Sequence, residues 1–166
     1  MPDTAQYLER IKSLADGKDV LSLQSGTSRS LARLIDGVSA ERLRERPQVG
    51  KWSVAEILAH LAEDEIATAW RYRQMIESPG CSLAGFDQDL WARLGEYAER
   101  DAVQSLRLFT LLREANVRML ESLSPDEWQR HGIHAERGSI TVQDLARHMA
   151  GHDTNHLEQI RKILSR

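Results

Sequence analysis

With 166 residues, 22 basic and 25 acidic side chains and a formal net charge of -3, the chain has the size of one domain with a substantial core, and it lacks the basic surplus of a nucleic-acid-binding surface. One cysteine, Cys81, excludes an internal disulfide, and no run approaches the roughly eighteen apolar residues of a membrane-spanning helix. Charged residues within MPDTAQYLERIKSL leave no apolar stretch for a signal peptide, so the expectation is a cytoplasmic protein that binds neither membrane nor nucleic acid.

Taken in chain order, the pattern is helical almost throughout. Residues 4–16 predict a short helix with Tyr7, Leu8, Ile11 and Leu14 on one side, and Gly17 ends it. Residues 1–18 are therefore an accessory segment, and the main domain runs over 19–164. Apolar residues recur at helical spacing from Val20 to Val38, and the stretch 45–50 is a connector. Ser53, with Glu56 three residues on, predicts a capping box that opens a helix running to Ile76, stopped before Pro79-Gly80. Residues 78–96 have no helical period, yet Leu83, Phe86, Leu90, Trp91 and Leu94 argue against disorder; a packed connection of this kind often shapes a binding site. A further helix is predicted over 98–122, and after a second connector Thr141 caps a last helix with Val142, Leu145, Met149, Ile160 and Ile163 on its stripe. Four long helices and no strand pattern give an all-α four-helix bundle, with a connection between its second and third helices long enough to cross the bundle.

Three of the six histidines fall in the last helix, at 148, 152 and 156. Residues four apart lie one turn apart on the same face, so His152 and His156 present two nitrogens to one point. The helical wheel puts His156 inside the apolar stripe, His152 on its shoulder and His148 further round, bordering the site or facing solvent. His60 interrupts the apolar face of the second long helix and supplies a distant third ligand. An imidazole in an apolar stripe costs free energy unless its nitrogens find partners, and a divalent cation takes one nitrogen from each ring. Three histidines leave coordination positions open for water or substrate, as a catalytic site requires. Asp64, one turn beyond His60, and Asp153 are the candidate catalytic carboxylates, orienting a ligand or moving a proton. The run Glu63-Asp64-Glu65 otherwise reads as a solvated face, and His131 and His134 read as loop histidines in contact with solvent. Trp52 and Trp128 read as core anchors, and Cys81 has no activating neighbour.

The segments Lys51-Trp-Ser-Val-Ala-Glu-Ile-Leu-Ala-His60-Leu-Ala-Glu-Asp-Glu65, Ser124-Pro-Asp-Glu-Trp128 and Leu145-Ala-Arg-His-Met-Ala-Gly-His152-Asp-Thr-Asn-His156-Leu-Glu-Gln159, in this order and separation, resemble the DinB/YfiT-like superfamily of metal-binding four-helix bundles. The resemblance spans residues 19–164. It implies an up-down-down-up bundle, nickel, zinc or another divalent ion on His60, His152 and His156, and a homodimer; imidazole ligands suit iron and manganese as well. It also implies a small-molecule substrate, with transfer or isomerisation using a low-molecular-weight thiol, or hydrolysis, as the reaction. Where several members continue past the last histidine with His-Arg-Gly-Gln, this chain has Leu157-Glu158-Gln159, which changes the rim of the pocket. The competing expectation is a non-catalytic bundle, in which the metal is structural or a stress-related small molecule is bound.

Overall fold

The computed structural model describes residues 4–165; residues 1–3 of the accessory segment lie outside the described residues. Four long helices build the bundle: α2 (Val20–Ile35), α4 (Val54–Glu77), α6 (Ala102–Glu121) and α8 (Val142–Leu164), with α1 (Thr4–Ala15) laid along α8 and a short α3 (Ala40–Arg44) after α2. Each long helix starts where a side chain satisfies its free N–H groups. Asp19 accepts from Leu21 and Ser22 to open α2, and Asp101 accepts from Gln104 to open α6. Ser53 with Glu56, and Thr141 with Asp144, form reciprocal capping boxes on α4 and α8, as the sequence predicts for Ser53 and Thr141. The cap at Asp101 starts α6 later than the apolar period alone suggests.

Two apolar clusters fix the direction of the helices. One joins the ends of α2 and α8 (Leu31, Ile35, Ile160, Ile163) to the beginnings of α4 and α6 (Val54, Ile57, Ala102, Leu106). The other joins the start of α8 (Val142, Leu145, Met149) and Val20 and Leu21 of α2 to the ends of α4 and α6 (Tyr72, Met75, Leu120). Thus α2 and α8 run one way and α4 and α6 the other: an up-down-down-up bundle. A parallel α4–α6 pair requires the chain to travel back the length of the bundle between them, which is what residues 78–101 do.

That long connection and the one before α8 are not irregular throughout. Helix α5 (Gln88–Leu94) and helix α7 (Pro125–Trp128) interrupt them, and three short strands, β1 (Cys81–Leu83), β2 (His131–His134) and β3 (Gly138–Thr141), pair in the order β1-β2-β3. The β2–β3 pair is an antiparallel hairpin, and β1 adds parallel to β2 with Ser82 opposite Ile133. Strands of three or four residues are too short for an alternating pattern to stand out, so a reading based on period finds none here.

Helix α1 packs on α8 at a point where no side chain fits. A Cβ at Gly151 would lie 2.0 Å from the backbone oxygen of Ile11, so the glycine is what lets the two helices touch. Alanine there favours α8 itself by about 1 kcal/mol in helix propensity, but only by pushing α1 away. Gly151→Ala is expected to raise amide exchange across Thr4–Ala15 by about tenfold or more, while α4, α6 and the rest of α8 keep their protection. Unchanged exchange in α1 would show that the contact is not what holds it.

Candidate metal centre

Between the two apolar clusters lies a belt of buried polar side chains drawn from all four long helices. Gln24 and Thr27 come from α2, His60, Asp64, Glu65 and Thr68 from α4, Arg113 and Asn116 from α6, and His152, Asp153 and His156 from α8. Buried polar groups are tolerated only with partners, and the belt divides into two sets according to how the partners are found.

The first set is closed on itself. Arg113, 1% exposed, reaches Asp153 with both terminal nitrogens, Nη2 standing 3.1 Å from Asp153 Oδ1 and Nη1 pairing with Oδ2. Nη2 also donates to Glu65 Oε1 at 2.8 Å, and Asn116 Nδ2 donates to Glu65 Oε2 at 2.9 Å. Thr27 Oγ1 lies 2.8 Å from Asp153 Oδ2, and the guanidinium sits 4.7 Å from the centre of the Phe109 ring. Four helices are tied together here. Both carboxylate oxygens of Asp153, expected from the sequence to orient a ligand or move a proton, are held by Arg113 and Thr27, so Asp153 braces α8 between its two histidines. The reading of Glu63-Asp64-Glu65 as a solvated face is corrected as well. Glu65 and Asp64 are buried, and Glu63 pairs with Arg100 at 2.7 Å. Acidic residues in a row look wet only while their cationic partners, far off in the sequence, are unknown.

The second set is the histidine cluster. His60, His152 and His156 are 2%, 3% and 7% exposed, and their ligand nitrogens all lie within 4.8 Å of one another. His152 Nε2 is 3.2 Å from His60 Nε2 and 3.1 Å from His156 Nε2. Hydrogen bonds between the rings do not account for this arrangement. Gln159 Oε1, 2.9 Å from His156 Nδ1, accepts that proton and leaves a neutral His156 with a bare Nε2. A proton on His152 Nε2 would then serve two acceptors at once. It would also leave His152 Nδ1, which has no hydrogen-bond partner, as a bare lone pair facing Asp64 Oδ2 at 3.7 Å. With all three Nε2 atoms turned to a cation, Nδ1 of His152 carries the proton and faces a carboxylate that suits it. Imidazole nitrogens on a tetrahedral ion with bonds of about 2.0–2.1 Å stand about 3.3–3.4 Å apart, close to the 3.2 and 3.1 Å that separate His152 from His60 and His156. The residues fit a divalent metal ion.

Electrostatics agree with neutral imidazoles. Burial, followed by the neighbouring histidines, holds His60 well below its ordinary value, while burial with His148 and Arg113 lowers His152 to about 3, and burial with His152 lowers His156 to about 3. Burial, then Arg137 and Arg71, also lowers His148 to about 3, whereas burial and then Glu65 raise Asp64 to about 7. In the metal-free protein each such histidine takes up a proton on unfolding between its folded-state value, about 3 for His148, His152 and His156, and about 6.5, so over that window stability falls towards acid by up to about 1.4 kcal/mol per unit for each. Asp64 acts in the opposite sense between its ordinary value and about 7, one group against four. The melting temperature of the metal-stripped protein is therefore expected to fall as pH is lowered from 7 to 5. A flat or rising profile over that window would contradict neutral buried imidazoles.

A cavity of about 510 Å³ opens beside His152, with Asp64, Met149 and His148 on its floor, Tyr7 and Leu8 of α1 on one wall, and Gly85, Phe86 and Arg137 of the two connections on another. His148 lies beside His152 with ring centres 6.3 Å apart and borders the site without joining the cluster. His134, expected in a solvated loop, sits in β2 and lines the same cavity. Trp52 packs against the His60 ring at 5.0 Å and holds it in place.

A DinB superfamily profile matches residues 25–160, taking in most of α2, all of α4 and α6, and the three clustered histidines. The chain belongs to the DinB superfamily. Among DinB relatives, a candidate metal-dependent hydrolase of Oceanobacillus iheyensis is 27% identical over 138 residues, covering 83% of this chain and 80% of that protein. Another of Geobacillus kaustophilus is 23% identical over 143 residues, covering 85% and 80%. The structure of YfiT from Bacillus subtilis, described as a candidate metal-dependent hydrolase with an unusual four-helix-bundle topology, superposes with a TM-score of 0.81 at 18% identity over 87% of this chain and 83% of its own. That likeness bears on the fold, and the up-down-down-up order seen here is the DinB arrangement that the resemblance implies.

The DinB site also contains groups that the sequence reading missed. Arg113 stands four residues after Phe109 and three before Asn116, inside the apolar stripe of α6, and an arginine at such a position signals a buried ion pair. Tyr7 gives no comparable signal, because its place in the cavity depends on α1 lying back along α8.

Proposed function

We propose that this protein is a metal-dependent hydrolase of small molecules, with His60, His152 and His156 holding a divalent ion. The observation that carries the reading is the convergence of three buried imidazole nitrogens, with the His152 ring also lining an open cavity. Bound there, a divalent ion supplies Lewis-acid chemistry, polarising a substrate oxygen and making a coordinating water more acidic. An ion with a purely structural role needs no such opening beside it.

The chain's own groups divide the remaining work. Gln159 accepts from His156 Nδ1 and so presents Nε2 to the ion. Asp64 faces both His152 Nδ1 and the cavity, where its carboxyl holds or moves a proton at Oδ2. Asp153, gripped by Arg113, fixes the turn of α8 that carries both histidines. Tyr7 and Leu8 cover one side of the cavity and restrict entry of water.

Elemental analysis of the native protein, followed by a screen of chromogenic esters, amides and phosphoesters with and without added thiol, tests this function. About one divalent ion per chain and metal-dependent turnover without thiol are expected. No stoichiometric ion, or equal turnover after chelation, would overturn the proposal, and turnover that needs thiol would reassign the reaction to thiol-dependent transfer. Within the same assay Asp64→Asn is expected to lower kcat/KM by about 10–100-fold while ion content at saturating metal stays near one. An unchanged rate would remove Asp64 from the reaction.

A further inference from the structure

The wall of the cavity contributed by Arg71 and Arg137 has a charge pattern that metal binding leaves unexplained. Arg71, from α4, is half-buried, and its Nη2 donates to the Ala84 carbonyl at 2.7 Å while the guanidinium lies 5.5 Å from the centre of the Phe86 ring. Arg137, in the turn between β2 and β3, is half-buried on the same cavity. Among the described residues neither guanidinium has a carboxylate within ion-pair distance. Arg100, equally half-buried, is paired with Glu63 at 2.7 Å, and Arg113 has two carboxylates. The acidic groups that also line the cavity are committed or exposed. Asp87 caps α5 by accepting from Leu90 at 3.0 Å and Glu136 stands out in solvent, while Asp64 acts on Arg71 and Asp144 on Arg137 only from beyond ion-pair distance. His134 and His148 add two ring N–H donors rather than negative charge.

Desolvating a guanidinium is costly unless an anion meets it, and the planar fork of arginine matches the paired oxygens of a carboxylate or phosphate. The carbonyl of Ala84 and the ring of Phe86 hold Arg71 in place before any ligand arrives, which lowers the ordering cost of binding. A cavity of about 510 Å³ has the size of a small-molecule site.

We infer that Arg71 and Arg137 form an oxyanion subsite, which takes the carboxylate or phosphate of a small substrate and sets its reacting bond beside the His60–His152–His156 cluster. The orientation of the reacting bond rests on the proposed metal-dependent function; capture of the anion does not. The substrate is then a small molecule with an oxyanion at one end and a hydrolysable bond at the other.

Calorimetric titration of the metal-stripped protein with inorganic phosphate and, separately, with succinate at constant ionic strength tests the subsite. Saturable one-to-one binding of at least one anion is expected, weakened about tenfold or more by Arg71→Gln and by Arg137→Gln, each of which removes a charge-assisted contact. The anion that binds more tightly identifies the oxyanion. No saturation by either anion, or binding unchanged in both variants, would overturn the subsite. Zinc titration of the same proteins keeps the two readings apart. Zinc uptake intact with no anion binding overturns the subsite alone, whereas anion binding with no zinc uptake in the unaltered protein overturns the metal reading alone.

Discussion

Replacing His152 with alanine is expected to remove the divalent ion while leaving the helices standing. His152 is the shared vertex of the cluster, its Nε2 lying 3.2 Å from His60 and 3.1 Å from His156. Without it two ligands remain, on different helices, and affinity should fall by more than the roughly 10–100-fold typical of losing a supporting group outside the coordination set. The fold loses little. The metal-free His152 ring has a buried Nδ1 with no partner, so truncation removes an unsatisfied polar atom along with some packing. Ion content after dialysis should drop from about one per chain to near zero, with the far-UV circular dichroism of the unaltered protein. A variant that keeps its ion would exclude His152 as a ligand.

Arg113→Ala is expected to do the reverse, damaging stability first and the site second. Removing the guanidinium leaves Glu65 and Asp153 buried, 2% and 1% exposed, with their charge uncompensated. Breaking a buried pair in this way typically costs about 3–5 kcal/mol, and in a domain of this size that corresponds to a fall in Tm of about 6–20 °C. Because Asp153 lies between the two histidines of α8, zinc affinity should weaken too. Neutralising the whole set together (Arg113→Met, Glu65→Gln, Asp153→Asn) should recover part of the lost stability. A melting temperature within about 2 °C of the original for Arg113→Ala alone would mean the network is not coupled to folding.

The long helices and the starts of α4 and α8 could be read directly from the chain, because caps such as Ser53 with Glu56 and apolar residues at helical spacing are local. The histidine pair on α8 was legible for the same reason: spacing along one helix fixes which side chains share a face. His60 was legible as an imidazole interrupting an apolar stripe, and the family motifs around it identified its partners. The three strands escaped notice because pairs such as Ser82 with Ile133 are made across distant connections, and no short segment there carries its own period.

Asp64, Asp153 and Glu65 separate what is local from what is not. In the sequence the first two are carboxylates near candidate ligands, and the third belongs to a charged run. Only the packing of α6 against α4 and α2, with α8 across the bundle, brings Arg113 between Glu65 and Asp153, closing those two into an ion-pair network and leaving Asp64 turned to the cavity. The chain alone thus determined the helical class, the caps at Ser53 and Thr141 and the three imidazoles, since each depends on residues a turn or so apart or on motifs in order. The tertiary structure decided which carboxylates join the ion-pair network and which does not, and it set Arg71, Arg137 and Tyr7 around one cavity. Burial and charge pairing are properties of neighbours in space, which the chain places side by side only after it folds.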